Sequence, residues 1–167
     1  PDRASGGPMT PDAGLKNLRL DEIHREAGAT MVAFAGYLMP QQYAGILAEH
    51  RAVREDAGAF DISHMTQFDV QGADAADALD RAVSCDVRGL APGRARYGLL
   101  LNERGGVIDD VIVYRRTRAS FLVVANAARR DAVFLSLRDR LGAMVRDVSD
   151  EYAMFAVQGP RAEAACA

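Results

Sequence analysis

Apolar residues at Leu18, Leu20, Ile23 and Ala27 recur with helical spacing, and Gly28 supplies a stop, so the chain predicts a first helix here. A strand over roughly Met31 to Phe34 should follow. Gly36 and Pro40 interrupt the pattern, after which Ile46, Leu47, His50 and Val53 mark one face of a second helix that ends before Gly58. Phe60 opens a further strand. Thr66 to Val70 alternates as a half-buried strand does, and Leu79, Ala82 and Val83 belong to a helix that starts near Ala73. Pro92 and Gly93 punctuate its exit.

The next stretch is the most strand-like in the chain. ARYGLLL, the turn NERGG, VIDDVIVYR, a short polar turn around Thr117 to Ser120, and FLVVAN together predict a three-stranded antiparallel meander. Val133, Leu135, Leu137 and Leu141 then mark a helical segment, Met144 to Val148 a strand, and Tyr152 to Val157 a last apolar strand. The central strands are joined by turns too short for parallel crossovers, so the expected class is α+β, an antiparallel sheet with flanking helices. The opening PDRASGGPMT has no apolar periodicity, and residues 1–17 are expected to form a flexible lead before a single domain over 18–167.

Composition narrows the function classes. A chain of 167 residues, 49% of them hydrophobic, can bury one sizeable core. A net charge of −3 argues against a nucleic-acid or anionic-membrane partner. No apolar run approaches a membrane span and no secretory signal opens the chain, so an intracellular protein is expected. Cys85 and Cys166 form neither a CxxC pair nor a disulfide framework. Neither GxxxxGK[ST] nor GxGxxG occurs, and His24, His50 and His64 lack metal-site spacing, so no metal is expected. His64 in DISHM could act as a base, but a histidine beside a strand more often makes a structural hydrogen bond.

GGVIDDVIVY carries more information. Strand alternation puts Asp110, Ile112 and Tyr114 on one face and Asp109, Val111 and Val113 on the other, with Asp110 and Tyr114 about 13 Å apart. If the following hairpin closes near Arg116 and Phe121, Asn126 falls within about one residue of the position opposite Asp110. A carboxylate and a carboxamide so placed can read the polar edge of a flat heterocycle, and burial of a carboxyl suits it to proton transfer. The same residues also fit two solvated strand-end acids with Asn126 capping the next helix. Arg94 and Arg96 share a face that could grip a ligand carboxylate or simply be a solvated edge. Tyr97 points the other way, where an aromatic usually joins the core.

Longer motifs sharpen this reading. VAFAGYLMPQQY from Val32 to Tyr43, AEHRAVREDAGAFDISHM from Ala48 to Met65, LNERGGVIDDVIVY from Leu101 to Tyr114, and FAVQGP ending at Pro160 resemble, in order and spacing, the N-terminal portion of the glycine-cleavage T-proteins. The resemblance implies a folate-binding domain and the chemistry of an aminomethyltransferase. In that chemistry a methylene group passes from the aminomethyl-lipoyl arm of the H-protein to tetrahydrofolate as co-substrate, with release of ammonia.

Asp110, which closes the GGxIDD motif, would position the folate and handle the amine proton, and Tyr97, Tyr114 and Asn126 would contact the folate. The location implied is the bacterial cytoplasm, or the mitochondrial matrix in a eukaryote. Tyr37 replaces a common Trp, Cys85 stands where Asn precedes Asp86, and Arg129 stands where the family has a second Asn; the last two alter polar groups near the expected site. The family's remaining folate contacts lie further along than Ala167, so the chain is expected to be truncated and to bind folate weakly alone. Folate-dependent demethylases share the fold, and a non-enzymatic folate-binding protein is the rival of a different class. The KGCYxGQ-like motif of the latter does not occur here.

Overall fold

The computed structural model describes residues 14–167 and divides into two compact units. The described residues up to Phe60, with Ala156–Ala167, form one; Asp61–Phe155 form the other. Mixed helices and antiparallel sheets make this an α+β fold, as the turn lengths predict.

In the first unit, β1 (Lys16–Asn17), α1 (Asp21–Glu26), β2 (Thr30–Phe34), β3 (Tyr37–Gln42), α2 (Ile46–Glu55) and β4 (Gly58–Asp61) follow in order. The lead expected to stay flexible through residue 17 joins the sheet at its end, where Lys16 and Asn17 pair in parallel with Tyr37 and Leu38. Residues 1–13 of that lead lie outside the described residues. The predicted first helix starts late, at Asp21.

Of the two residues that break the apolar pattern, Gly36 lies in the turn before β3 and Pro40 within the strand itself. Ala35 and Gly36 both take positive φ, 48° and 83°, the condition for a two-residue hairpin turn between β2 and β3. Pro40 sits opposite Met31, beside a register shift between Thr30 and Met31, where its missing N–H does least harm to the ladder.

In the second unit, β5 (Thr66–Gln71), α3 (Ala75–Ala82), β6 (Ala95–Leu101), β7 (Val107–Arg115), β8 (Ser120–Ala125), α4 (Arg130–Leu141) and β9 (Val145–Asp147) build one antiparallel sheet with two helices. Its strand order is β6-β7-β8-β5-β9, and the meander runs as the spacing predicts. One face of the sheet carries Leu100, Val111, Val113, Phe121, Val123 and Phe68; with Leu79 of α3 and Val133, Leu137 and Leu141 of α4 they form a continuous core. Each fully buried Leu, Val or Phe contributes roughly 1.5–3 kcal/mol by leaving water, so this face holds the unit together. The opposite face carries the polar and aromatic residues of interest. The last strand, β10 (Phe155–Gln158), starts three residues later than predicted, pairs with β4, and is followed by α5 (Ala162–Ala165).

Candidate functional site

The NERGG turn sets the start of the site. Asn102 accepts the backbone N–H groups of Arg104 and Gly106 on Oδ1, each at 2.9 Å, an arrangement that closes the β6–β7 hairpin. Both glycines of the motif are needed. Gly105 has φ of 79°, and a Cβ on Gly106 would meet Asn102 Nδ2 at 2.8 Å. Immediately after, the register shifts: Leu101 pairs with Val107 but Leu100 with Asp109, leaving Ile108 as the extra residue of a bulge. The freed Ile108 carbonyl accepts Arg129 Nε–H at 2.9 Å. Arg129 thus ties the start of α4 to β7.

Beyond the bulge, alternation places the acids as predicted. Asp109 is buried, at 6% exposure, on the core face with Val111 and Val113, whereas Asp110 is exposed on the opposite face with Ile112 and Tyr114. The burial foreseen for a reactive carboxyl therefore falls on Asp109, not on Asp110.

The β7–β8 hairpin pairs Arg115 with Phe121 and Val111 with Ala125, so one further step brings Asn126 directly opposite Asp110. The side chains meet. Asn126 Nδ2 donates to Asp110 Oδ1 and to Asp109 Oδ1, both at 2.9 Å, and the Asn126 backbone N–H donates to Asp109 Oδ2 at 2.9 Å. With two carboxylates demanding donors, only the nitrogen of the carboxamide can face them. Sequence reasoning missed Asp109. A carboxylate alternating with valines on a core face calls for a buried partner, and that signal could have found it.

Tyr97 corrects an expectation. It does not join the core: it is 61% exposed, on the same face as Asp110, one strand over and paired with Ile112. Its hydroxyl lies within electrostatic reach of the Asp110 carboxylate. The phenol is held above its ordinary range, first by loss of solvent around the hydroxyl, although the ring is well exposed, and then by the charge of Asp110. Tyr114, half-exposed, flanks the same face, and Leu99, Ile112 and Leu122, each partly buried, make its apolar floor. Tyr97, Asp110 and Tyr114 thus share one face of the sheet, and Asn126 meets Asp110 at its polar end.

Other candidates go elsewhere. Arg96 spends its guanidinium on Asp86, with Nη1 at 2.9 Å from the carbonyl oxygen and 3.1 Å from Oδ2, so a ligand carboxylate would have to compete with an internal pair. The half-buried His64 precedes β5, and burial holds its imidazole below the usual range against an opposing pull from Asp61. Among the described residues no group of three His, Cys, Asp or Glu could hold a metal ion, and no helix is long and apolar enough to cross a membrane.

Known proteins resemble this chain in sequence and fold. A family model described as the GCVT N-terminal domain covers residues 20–167. The chain belongs to the GCVT N-terminal domain family.

Similar relatives are proteins named aminomethyltransferase. That of Saccharopolyspora erythraea is 48% identical over 146 residues, 86% of this chain and 40% of its own length; that of Deinococcus deserti is 45% identical over 157 residues, 92% and 44% respectively. Among solved structures, the glycine cleavage system aminomethyltransferase T from Bartonella henselae superposes with a TM-score of 0.80 at 42% identity, over 90% of this chain and 42% of that one. The resemblance read from the motifs is therefore borne out, and the α+β class with it. The chain spans about two fifths of the length of the curated relatives it matches. The GGVIDD segment of this chain is the turn, bulge and strand that set Asp109 and Asp110 on opposite faces.

Proposed function

We propose that this chain is the folate-binding part of a tetrahydrofolate-dependent aminomethyltransferase of the glycine cleavage system. One observation carries the reading: the hydrogen bond from Asn126 to Asp110 at the end of an apolar sheet face that also carries Tyr97 and Tyr114.

The residues suit a reduced pterin. Leu99, Ile112 and Leu122 offer a flat apolar floor, Tyr97 and Tyr114 can flank a ring, and the remaining lone pairs of Asp110 with Asn126 Oδ1 can accept from ring N–H groups. Bound tetrahydrofolate supplies the nucleophilic nitrogen that takes up the methylene unit. Asp110 orients that nitrogen and accepts its proton at a carboxylate oxygen, for which a side chain within hydrogen-bond reach is the first requirement. Asn126, donating to Asp110, holds its carboxylate and leaves a lone pair for the substrate, with the Tyr97 phenol on the same face.

The one-carbon donor in this reading is the aminomethylated lipoyl arm of an H-protein, and ammonia is the second product. Its relatives' shared name, aminomethyltransferase, supports the reaction class. A cytoplasmic location belongs to the same proposal. The test is ammonia release by the full-length protein from aminomethylated H-protein, with and without tetrahydrofolate. Folate-stimulated release is expected; a protein that binds folate yet releases no ammonia would leave a non-enzymatic folate binder instead.

A further inference from the structure

Asp109 has no part in the reaction above, yet it is the more deeply buried of the two acids and the better bound. A carboxylate among valines must be satisfied by hydrogen bonds or it destabilises the fold. Both of its oxygens serve a single residue. Oδ2 accepts the backbone N–H of Asn126 and Oδ1 accepts one hydrogen of its carboxamide, each at 2.9 Å. The other carboxamide hydrogen goes to Asp110 Oδ1, also at 2.9 Å.

A carboxamide is nearly the same shape when turned over, so packing alone does not choose which of its ends points where. An ionised carboxylate can only accept and therefore selects the nitrogen. The backbone bond to Oδ2 also fixes where the Asn126 Cα sits relative to β7, and the unbroken β7–β8 register, which pairs Val111 with Ala125, carries Asn126 to the acids.

We propose that Asp109 is a positioning residue. It locks the Asn126 carboxamide with nitrogen toward the acids and, through that nitrogen, holds Oδ1 of Asp110 in place. Asn126 Oδ1 is thereby kept as an acceptor for a ligand presenting ring N–H groups. The identity of that ligand as a folate rests on the function proposed above; the positioning itself does not.

Asp109→Asn discriminates well, because the substituted side chain has one acceptor for the two donors on Asn126. Its NH2 would face either the backbone N–H or Nδ2, so one of the two bonds that hold Asn126 is lost in either orientation. The experiment is a double-mutant cycle in the full-length protein with Asp109→Asn, Asn126→Ala and the pair, reading tetrahydrofolate affinity by calorimetry together with the thermal midpoint. Asp109→Asn and Asn126→Ala should each weaken binding by about fivefold to tenfold, the scale of one lost hydrogen bond. The pair should be no weaker than Asn126→Ala alone. Affinities that multiply in the pair, or an Asp109→Asn protein that binds within twofold of the parent, would overturn the proposal.

A second measurement needs no variant and no ligand. In the 15N-labelled parent protein both side-chain amide hydrogens of Asn126 should be protected from solvent exchange, and fast exchange of either contradicts the lock. A parent protein that fails to bind tetrahydrofolate but shows this protection would reject the folate reading while leaving the positioning role standing.

Discussion

Asn126 Nδ2 lies 2.9 Å from Asp110 Oδ1, joining the end of β8 to the exposed acid of β7. The same nitrogen is 2.9 Å from the buried Asp109, so one carboxamide bridges the two faces of a single strand. Because the acids sit on opposite faces, neither could serve in place of the other, and the polar end of the site depends on a residue that reaches both.

Tyr97→Phe should separate the phenol's role from that of its ring. The ring is exposed and the hydroxyl lies within electrostatic reach of Asp110, so the variant should keep its thermal midpoint within about 2 °C while binding tetrahydrofolate several-fold more weakly. Calorimetry and a melting curve on the same sample decide this. The raised phenol has a further consequence. A group whose folded pKa is raised contributes stability that is present below its ordinary value, about 10, and lost as pH rises through the folded value. Stability should accordingly fall above pH 10 in the parent and less steeply in Tyr97→Phe.

At low pH a partly buried group that matters is Asp147. Burial pushes its carboxyl up, but hydrogen bonds from Arg130 and Ser149 outweigh this and leave it below the usual range. A depressed carboxyl contributes stability that is present above its unfolded value, about 3.9, and lost as pH falls through the lower, folded one. Chemical denaturation at stepped pH should show a decline below about pH 4. Asp147→Asn should be less stable at pH 7 and show a shallower acid limb; an unchanged limb would remove Asp147 from the account.

Helix α4 offers a paired control on the core. Leu137 is fully buried against the sheet, so Leu137→Ala should cost about 2–5 kcal/mol by denaturant titration. Leu135, two residues away and exposed, should change stability by no more than about 0.5 kcal/mol when cut to Ala. Equal losses at both positions would mean that the helix face is misassigned.

The meander and its hairpin were legible in the sequence because turn chemistry and alternation are local. NERGG marks one turn, and closure near Arg116 and Phe121 carries Asn126 to Asp110 by counting residues. Alternation also separates Tyr97 from Arg96, but it does not say which face the helices cover, and Tyr97 proved to be on the open one. That choice is made by α3 and α4, which pack from distant sequence. Asp109 was hidden for a different reason. The valines it alternates with mark it as buried, but alternation assigns a residue to a face and does not name the side chain that satisfies it. In the first unit, β3 was obscured because Gly36 and Pro40 read as breakers, although one forms a hairpin turn and the other sits at a register shift.

The measurement closest to the central claim is turnover by the full-length protein carrying Asp110→Asn, with aminomethylated H-protein and saturating tetrahydrofolate. Asparagine keeps the shape and can still meet Asn126 or Tyr97, but it has no carboxylate to take a proton. The expected result is ammonia release reduced by about 100-fold or more, the usual scale for loss of a general base, in a protein that remains folded. Turnover within twofold of the parent would contradict the assignment of Asp110 as the reacting carboxylate.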